Sequence, residues 1–373
     1  MAPLSDIFVL DFSTLLPGPF ASLMLAEAGA TVVKIERPGR GDEMRTYVPK
    51  LGPDSTNFHL LNAGKQSLAI DLKSPGAFER LRPLIERADV IVEQFRPGVM
   101  ERLGLGFERL RAINPRLIYC SISGWGQNGP KADVAAHDLN FMAETGLLGL
   151  SRGGDGAPVL PPVLAGDLAG GALPAVVNIL LALRQRDRSG EGAYLDISMG
   201  DNLLPLAYWG LGEGFGTGRW PAAGAGLVTG GTPRYEIYRT ADGRYLAAAP
   251  LEDKFWDNFC TLIGLPEPLR DPKADVAAVK AAITGLIALR TAETWRSVFQ
   301  GQDVCCSIVA TLEEAAADPH FAARGLFSRT LRAGDRSIPA LPVPIAGCFR
   351  PRTDTSAPLL GADTDTLLPK KSR

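Results

Sequence analysis

His137 and Asp167 are the two residues whose types could perform proton chemistry together. His137 is one of only three histidines in the 373-residue chain, and Asp167 follows thirty residues later among small residues. Histidine titrates near neutral pH, and a carboxylate beside it can act as a second acid or base. Such a pair would suit the removal of a proton from a carbon next to a carbonyl group.

Each of the two residues also has a purely structural interpretation. His137 is followed by Asp138 and Asn140, so it could stand at the start of a helix and only cap it. Asp167 precedes an apolar helical pattern and could equally be an N-cap residue. Neither local pattern distinguishes capping from catalysis.

The residues around Asp167 favour a ligand site. Gly166, Gly170 and Gly171 lack side chains, so we expect open space through which a ligand approaches the backbone. A helix that begins at Asp167 would also present free N–H groups, which stabilise a developing oxyanion. The sequence therefore predicts an acid/base pair beside an array of backbone donors.

The elements that must position these residues follow from an alternation of patterns. Short β-branched runs alternate with helical patterns through the first 125 residues, which predicts an α/β fold with a parallel sheet covered by helices. Such sheets bind ligands at the carboxyl ends of their strands. The predicted strands are 7–13, 31–38, 67–72, 89–95 and 116–126, and the predicted helices are 18–29 and 75–88.

Basic side chains are concentrated where these strands are expected to end. The whole chain is nearly neutral, with a formal net charge of −2, so a local group of Lys and Arg favours a ligand that carries several phosphates. Solvated helix ends are the alternative interpretation. The basic residues in this group are Lys34, Arg37, Arg40, Arg45, Lys73, Arg96 and Arg102.

Absent motifs and composition argue against several classes of function. No GxGxxG follows the first strand and GxxxxGK[ST] does not occur, which disfavours a dinucleotide enzyme and a nucleoside triphosphatase. The small net charge and the lack of a basic block disfavour nucleic acid or an anionic membrane as a partner.

The cysteines and apolar segments indicate a cytoplasmic protein without a metal site. The five cysteines show neither CxxC nor Cys/His ligand spacing, and the N-terminus lacks the pattern of a secretory signal. The longest apolar stretch, at 172–183, is too short to span a bilayer and predicts a buried helix. We therefore expect reduced thiols, no metal and a cytoplasmic location.

The chain length predicts about two domains. Residues 1–210 are expected to form the first part of a large domain, and the glycine-rich range 211–232 a linker or mobile segment. A smaller domain follows at 233–325 and opens with a β-hairpin at 235–250. The extended, proline-rich segment 326–373 is expected to return to the large domain.

Several motifs occur in the order typical of the class III CoA transferase superfamily. They include DFSTLLPGPFASLMLAEAGATVVKIERPGRGD, SLAIDLKSPGAFERL and ADVIVEQFRPGVMERLGLGFERLRAINPRLIYCSISGWGQNGP, and the resemblance covers nearly the whole chain. Within this superfamily the chain resembles most the α-methylacyl-CoA racemase branch. The features that point there are HDLNF with His137, GDLAGG with Asp167 and the segment GGTPRYEIYRTADGRYLAAAPLEDKFW with Glu252.

The resemblance implies a fold, a substrate class and roles for residues. It implies a discontinuous Rossmann-like large domain plus a small α+β domain, an interlocked homodimer, and CoA thioester substrates with no cofactor beyond their CoA moiety. His137 and Asp167 match the acid/base pair on either side of the substrate α-carbon, and Glu252 matches a carboxylate that orients the histidine. The residues at positions where the family holds the CoA phosphates and adenine are Arg37, Lys73, Arg96 and Arg102.

One departure from the racemase pattern leaves several functions open. Racemases of this branch carry an asparagine four residues before the catalytic aspartate, where this chain has Val163. The first candidate is a racemase that interconverts (2R)- and (2S)-2-methylacyl-CoA by 1,1-proton transfer through an enolate. The alternatives are a class III CoA transferase with Asp167 as nucleophile, and a CoA-binding protein without turnover.

Overall fold

The computed structural model describes residues 2–350 and 354–368, and the chain divides into two compact units. Residues 351–353 and 369–373 of the predicted C-terminal segment lie outside the described part. The first unit comprises Met1–Thr145, Pro162–Leu206 and Pro319–Arg373, and the second comprises Gly146–Pro161 and Ala207–Asp318.

Strands occur in both units. They are β1 (Phe8–Asp11), β2 (Thr31–Glu36), β3 (Lys50–Leu51), β4 (Asp54–Ser55), β5 (Gln66–Ala69), β6 (Val90–Glu93), β7 (Ile118–Ser123), β8 (Ala193–Ser198), β9 (Glu236–Arg239), β10 (Tyr245–Ala248), β11 (Cys306–Ile308), β12 (Thr330–Ala333), β13 (Arg336–Pro339) and β14 (Asp354–Ser356).

Helices connect these strands. They are α1 (Pro17–Glu27), α2 (Thr56–Asn62), α3 (Ala77–Arg87), α4 (Val99–Arg102), α5 (Phe107–Ile113), α6 (Asp138–Glu144), α7 (Leu173–Ser189), α8 (Met199–Leu203), α9 (Tyr208–Thr217), α10 (Asp253–Ile263), α11 (Val276–Ile287), α12 (Ala292–Phe299), α13 (Leu312–Ala316), α14 (Pro319–Ala323) and α15 (Thr364–Leu367). A π-helical segment spans Gly166–Ala172, and 3₁₀ turns span Glu43–Thr46, Leu148–Leu150, Leu204–Ala207, Glu267–Leu269 and Gly347–Phe349.

Six strands form one parallel sheet in the first unit. Their order is β5-β2-β1-β6-β7-β8, and every neighbouring pair is parallel. The strand order reverses between β1 and β6, as in doubly wound α/β folds, which bind ligands at that point. The α/β fold predicted from the first 125 residues is therefore confirmed, together with its five strands.

Helices cover both faces of this sheet because the strands are apolar on both sides. α1 and α7 pack on one face, where Val9 and Val92 are buried. α3 and α5 pack on the opposite face, where Leu10 and Ile91 are buried. Consecutive strand residues point to opposite faces, so each central strand contributes to both cores. Because helices cover both faces, the carboxyl ends of the strands are where a ligand is expected to bind.

The predicted buried helix at 172–183 is longer than its apolar stretch. The π-helical segment continues into α7, and the resulting helix Gly166–Ser189 has 24 residues and is apolar enough to cross a membrane by length and composition alone. Half of its most apolar window is buried, as in the core helices of soluble proteins, so this single helix is weak evidence for a membrane span. Ala175 and Ile179 are fully buried in the core of the first unit.

The C-terminal strands and α15 belong to the first unit. β12 pairs antiparallel with β13 and parallel with β14. Arg329, just before β12, forms an ion pair with Glu27 at the end of α1. The Asp363 carboxylate accepts a hydrogen bond from the Ser67 N–H of β5 at 2.8 Å. Since β5 is an edge strand, this contact covers part of an edge that would otherwise expose backbone donors.

The second unit combines a small antiparallel sheet with helices. β10 pairs antiparallel with β9 and with β11, which confirms the hairpin predicted at 235–250. α10, α11 and α12 enclose a separate core that includes Trp256, Phe259, Ile283 and Trp295. The first part of the glycine-rich range 211–232 lies within α9.

Candidate active site

Asp167 lies in the first turn of the π-helical segment that leads into α7. The N-cap position is Ala165, so Asp167 is not the N-cap residue that its local pattern allowed. A π-helical turn is rare and often occurs at functional sites. The side chain of Asp167 is half-buried, which leaves its carboxyl group accessible in part.

The glycines around Asp167 serve packing. A Cβ atom on Gly166 would lie 2.9 Å from the Phe141 ring, and one on Gly170 would overlap the backbone carbonyl oxygen of Met199. A Cβ atom on Gly171 would lie 3.1 Å from the Met199 side chain. The expectation that these glycines leave open space is therefore wrong, because α6 and α8 fill it. Their small size allows the π-helical segment to pack closely on both helices.

His137 stands at the start of α6, in the N-cap position. Its backbone N–H donates to the Asn140 side-chain oxygen at 3.0 Å, so the helix start is closed by Asn140. The His137 side chain is exposed. The helix-start interpretation is thus confirmed for the position of the residue, and its imidazole is accessible to a ligand.

Asp138 joins these two helix starts. Its side chain is buried, with 5% of the residue exposed, and its Oδ1 accepts a hydrogen bond from the Asp167 N–H at 2.9 Å. Because His137 and Asp138 are consecutive, this bond brings His137 and Asp167 to adjoining elements of the same unit. The sequence pattern indicated for Asp138 only a part in a helix cap. Its position directly after His137 was the one feature of the sequence that could have pointed to the site.

Two backbone donors at the start of the π-helical segment are already used. The Asp167 N–H donates to Asp138, and the Leu168 N–H donates to the Leu164 carbonyl at 3.0 Å. The expectation that this helix start offers free N–H groups to an oxyanion is therefore wrong for these two donors.

The pKa of the Asp167 carboxyl is raised from 3.8 to about 6. Burial is the largest cause, because it disfavours the charged form, and the negative charge of Asp138 adds to it. The nearby His137 acts in the opposite direction. A carboxyl with this pKa can both give and take a proton near neutral pH.

Val163 has no contact that compensates for the asparagine of the racemase pattern. Val163 is 51% exposed and its apolar side chain cannot donate a hydrogen bond. Among the described residues, no side chain donates a hydrogen bond to the Asp167 carboxyl. The protonation of Asp167 is therefore governed by burial and by its two charged neighbours.

The four residues predicted to hold CoA are exposed. They follow β2, β5 and β6, three strands whose carboxyl ends lie at one edge of the sheet. Within the described parts of the chain, none of their cationic groups takes part in an ion pair. These charges are thus free for an anionic ligand. The four residues are Arg37, Lys73, Arg96 and Arg102.

Two other members of the predicted basic group have structural roles instead. Lys34 is fully buried, and its ammonium group pairs with Asp42 at 2.8 Å. Arg45 is buried and forms ion pairs with Glu36 at 2.7 Å and with Asp54 at 2.8 Å. Their assignment to a phosphate-binding group is wrong. Sequence pattern did not reveal their buried acidic partners.

The start of α1 lies at the point where the strand order reverses. The Gly18 N–H donates to the Gln94 side-chain oxygen at 3.0 Å, which joins α1 to the loop that follows β6. A Cβ atom on Gly18 would overlap the Ser13 side chain, so only glycine fits here. Sequence reasoning missed Gln94 because its partner is 76 residues away along the chain.

Glu252 belongs to the second unit. It is the N-cap residue of α10, and its backbone carbonyl accepts a hydrogen bond from the Trp256 N–H at 3.0 Å. Its predicted role in orienting His137 stays a prediction.

No group of three or more His, Cys, Asp or Glu side chains that could hold a metal ion occurs within residues 2–350 and 354–368.

Comparison with known proteins identifies relatives over nearly the whole length. The model of CoA-transferase family III matches residues 4–364. Human alpha-methylacyl-CoA racemase is 36% identical over 347 residues, which cover 92% of this chain and 86% of the relative. Acetyl-CoA:oxalate CoA-transferase of Acetobacter aceti is 34% identical, with 96% and 93% covered. The crystal structure of a CAIB/BAIF family protein from Brucella suis superposes with a TM-score of 0.84 at 29% identity, with 98% of both chains covered.

Proposed function

The chain belongs to CoA-transferase family III and is an enzyme that acts on acyl-CoA thioesters, and from this premise we propose that it racemises 2-methylacyl-CoA. The observation that carries the proposal is the bond from the Asp167 N–H to Asp138, which holds the carboxyl near the histidine that precedes Asp138. The Asp167 carboxyl, with its pKa raised to about 6, then lies at a helix start that adjoins the one carrying His137.

The proposed reaction moves one proton at each face of the α-carbon. One group of the pair removes the α-proton, and the electrons of the broken C–H bond pass into a planar enolate of the thioester. The other group, in its acid form, donates a proton to the opposite face and forms the new C–H bond. One group of the pair must therefore be in its base form while the other is in its acid form, and the two exchange these forms for the opposite enantiomer.

The CoA moiety is proposed to bind at the carboxyl edge of the parallel sheet. Arg37, Lys73, Arg96 and Arg102 supply exposed positive charge there, and the strand order reverses between β1 and β6. Guanidinium and ammonium groups that lack internal partners are suited to phosphate oxygens. The acyl end would then extend from this edge to the acid/base pair.

A CoA transferase is the second candidate, and two observations favour it. The transferase of Acetobacter aceti is 34% identical to the chain, close to the 36% of the human racemase. Among the described residues, no side chain donates a hydrogen bond to the Asp167 carboxyl, since Val163 cannot do so. In this reaction the Asp167 carboxylate would attack the thioester carbonyl and expel the CoA thiolate, which leaves a mixed anhydride between Asp167 and the acyl group. The thiolate would then attack the aspartyl carbonyl of this anhydride and release the donor acid as its carboxylate, which forms an aspartyl-CoA thioester. The acceptor carboxylate would attack that thioester and expel the thiolate, and the thiolate would attack the acceptor carbonyl of the second anhydride, which forms the new acyl-CoA and regenerates Asp167. The raised pKa of Asp167 favours proton transfer, since it makes the carboxylate a stronger base.

Proton exchange distinguishes the two candidates. (2R)-2-Methylacyl-CoA is incubated with the enzyme in deuterated water without any acceptor acid, and the α-proton is followed by NMR together with optical purity. We expect exchange with loss of optical purity for the wild type, and neither process for Asp167→Asn. The exposed Asp133→Asn variant is the control and should retain the wild-type rate. Absence of exchange across several 2-methylacyl groups would refute the racemase.

A trapping experiment tests the transferase directly. Hydroxylamine is added during incubation with an acyl-CoA, and Asp167 is examined by peptide mass spectrometry for a hydroxamate. A hydroxamate at Asp167 that requires acyl-CoA would support a covalent intermediate and the transferase. We expect an unmodified Asp167, because the proposed racemisation forms no bond to the carboxyl.

The active form is proposed to be a homodimer. α7 carries four large apolar residues that are between 39% and 62% exposed, although the opposite side of the helix is buried in the core. An exposed apolar stripe of this kind is typical of a surface that another chain covers. A second copy of this chain is the occupant that the family resemblance implies. The four residues are Leu173, Val177, Leu180 and Leu181.

A further inference from the structure

Asp138 is a buried carboxylate that the proposed reaction does not use. Its residue is 5% exposed, and its Oδ1 faces the backbone of the π-helical segment, where it accepts the Asp167 N–H and would lie 3.0 Å from a Cβ atom on Gly166. A buried carboxylate is costly unless its surroundings compensate for it. Within the described part of the chain, the Asp138 carboxylate accepts one hydrogen bond, from the Asp167 N–H, which is a small compensation for its burial. A role at the site would explain why an acidic residue occupies this position.

We propose that Asp138 is a positioning residue for the racemisation: its side chain accepts the Asp167 N–H, fixes the first turn that carries Asp167, and places a carboxylate beside the carboxyl group that exchanges the proton. The proposal rests on the proposed function for its chemical meaning. The effect of the Asp138 charge on the pKa of the Asp167 carboxyl can be measured without any turnover of substrate.

The geometric part of the proposal follows from the connection between α6 and the π-helical segment. Asp138 is 29 residues away from Asp167 along the chain, and their bond joins two elements that otherwise meet through the Phe141 ring and Gly166. Because His137 directly precedes Asp138, the bond from the Asp167 N–H to Asp138 helps to set how the start of α6 lies relative to the first turn that carries Asp167. A misplacement of about 1 Å between reacting groups can lower a rate about a hundredfold.

The electrostatic part follows from the charges that face Asp167. Burial is the largest cause of its raised pKa, Asp138 adds to the shift, and His137 opposes it. Other acidic residues on the elements that pack on the π-helical segment are Glu144 of α6, which pairs with Lys131, and Glu27 of α1, which pairs with Arg329. Asp201 of α8 and Asp196 of β8 are not among the causes of the Asp167 shift. Asp138 is therefore the acidic neighbour that acts on Asp167.

Two substitutions separate the hydrogen bond from the charge. Asp138→Asn retains an oxygen that can accept the Asp167 N–H but removes the negative charge. Asp138→Ala removes both. Asp133→Asn removes an exposed carboxylate from the same connection between β7 and α6 and serves as the matched control.

The protonation of Asp167 is measured by ¹³C NMR titration of protein labelled at its aspartate carboxyl carbons. The Asp167 signal is assigned by its loss in Asp167→Asn. We expect the midpoint to move in Asp138→Asn from about 6 toward 3.8 without reaching it, because burial persists. The control should leave the midpoint where it is.

Kinetics test the positioning part. We expect the acid limb of the pH profile of kcat to move to lower pH in Asp138→Asn, in step with the carboxyl titration. In Asp138→Ala, kcat should fall by on the order of 10- to 100-fold with little change in KM, since the CoA contacts are untouched. If Asp138→Ala does not fold, Asp138→Asn alone still tests the role of the charge.

The outcomes separate this inference from the proposed function. An Asp167 midpoint unchanged in Asp138→Asn, or a wild-type kcat in Asp138→Ala, overturns the inference even if the enzyme racemises its substrate. A shifted midpoint in a protein that exchanges no α-proton supports the charge effect and refutes the racemase instead.

Discussion

At the scale of the residue, the chemistry of the site depends on how burial changes a carboxyl group. Burial and the charge of Asp138 raise the pKa of the Asp167 carboxyl to about 6. This carboxyl can therefore give or take a proton near neutral pH, which suits the proposed proton transfer at the α-carbon.

The raised pKa of Asp167 predicts that this carboxyl lowers the free energy of unfolding at high pH and not at low pH. Below pH 3.8 the carboxyl is protonated in both the folded and the unfolded chain, and above pH 6 the folded chain carries the full penalty of the buried charge. The penalty is at most about 3 kcal/mol for a shift of this size. We expect Asp167→Asn to unfold at a higher urea concentration than the wild type at pH 8 and at the same concentration near pH 3.5.

The control for this stability measurement is Asp133→Asn, which removes an exposed carboxylate and should show no such pH dependence. A difference between Asp167→Asn and wild type that is constant with pH would contradict a buried, charge-linked cost at position 167.

At the scale of the element, the site depends on the close approach of short helices. The π-helical segment packs on α8 through Gly170 and Gly171, and Asn202 of α8 donates a hydrogen bond to the Gly170 carbonyl at 2.9 Å. This bond gives the Gly170 carbonyl a side-chain donor and joins the π-helical segment to α8. Gly170 and Gly171, which the sequence suggested as ligand-contacting residues, are thus required by helix packing.

A second feature at this scale is the buried charge network beneath the start of α1. Burial alone would raise the pKa of Asp11, but the charges of Lys65 and Lys34 and hydrogen bonds from serines outweigh it and hold the pKa at about 2. The Lys65 ammonium group also donates to the Ser22 hydroxyl at 2.7 Å. The network joins β1, β2 and α1, and so fixes the loops at the carboxyl edge of the sheet.

Packing of the π-helical segment predicts a large effect from one added methyl group. In Gly170→Ala the new Cβ atom would overlap the Met199 carbonyl oxygen, a backbone atom that cannot move without shifting α8. We expect a loss of about 1–3 kcal/mol in the free energy of unfolding, measured by denaturant titration, and a lower rate of α-proton exchange.

Gly285→Ala is the matched control for this variant. Gly285 lies inside α11, and a Cβ atom there would have nothing within 4 Å. Alanine is the better helix former, so this substitution should stabilise the protein by roughly 0.5–1 kcal/mol. If both substitutions changed the free energy of unfolding in the same direction, the close contact with Met199 would not be the reason that position 170 requires glycine.

At the scale of the whole molecule, topology determines where the ligand can bind. The order of the six parallel strands reverses between β1 and β6, and both faces of the sheet are covered by helices. The carboxyl edge remains for a ligand. Three of the strands that end there are followed by exposed basic residues, which suits a polyphosphate cofactor moiety.

The exposed apolar stripe on α7 predicts the oligomeric state. We expect the wild type to sediment as a dimer in analytical ultracentrifugation, and the double variant Val177→Lys/Leu181→Lys to dissociate or to lose soluble expression, since lysine would be buried in the interface. Leu289→Lys alters a residue that is 75% exposed in the second unit and should remain dimeric. A wild type that sediments as a monomer at micromolar concentration would refute the homodimer.

The sequence by itself determined the α/β fold, the parallel sheet and the family. Alternating β-branched and helical patterns depend on backbone propensity and on which side chains avoid water, and both are readable over short segments. The residue types at positions 137 and 167 likewise indicated proton chemistry before any geometry was known. Family membership followed from motifs whose order spans nearly the whole chain.

Only the tertiary structure decided which residues are free to act. Lys34 and Arg45 resemble the exposed basic residues in sequence, yet buried carboxylates engage both. The role of Asp138 depends on a bond to a backbone group 29 residues away. Burial and ion pairing are properties of neighbours in space. The fold brings Lys34 to Asp42 and Arg45 to Glu36, and the residue types alone do not show which basic residues are buried and paired.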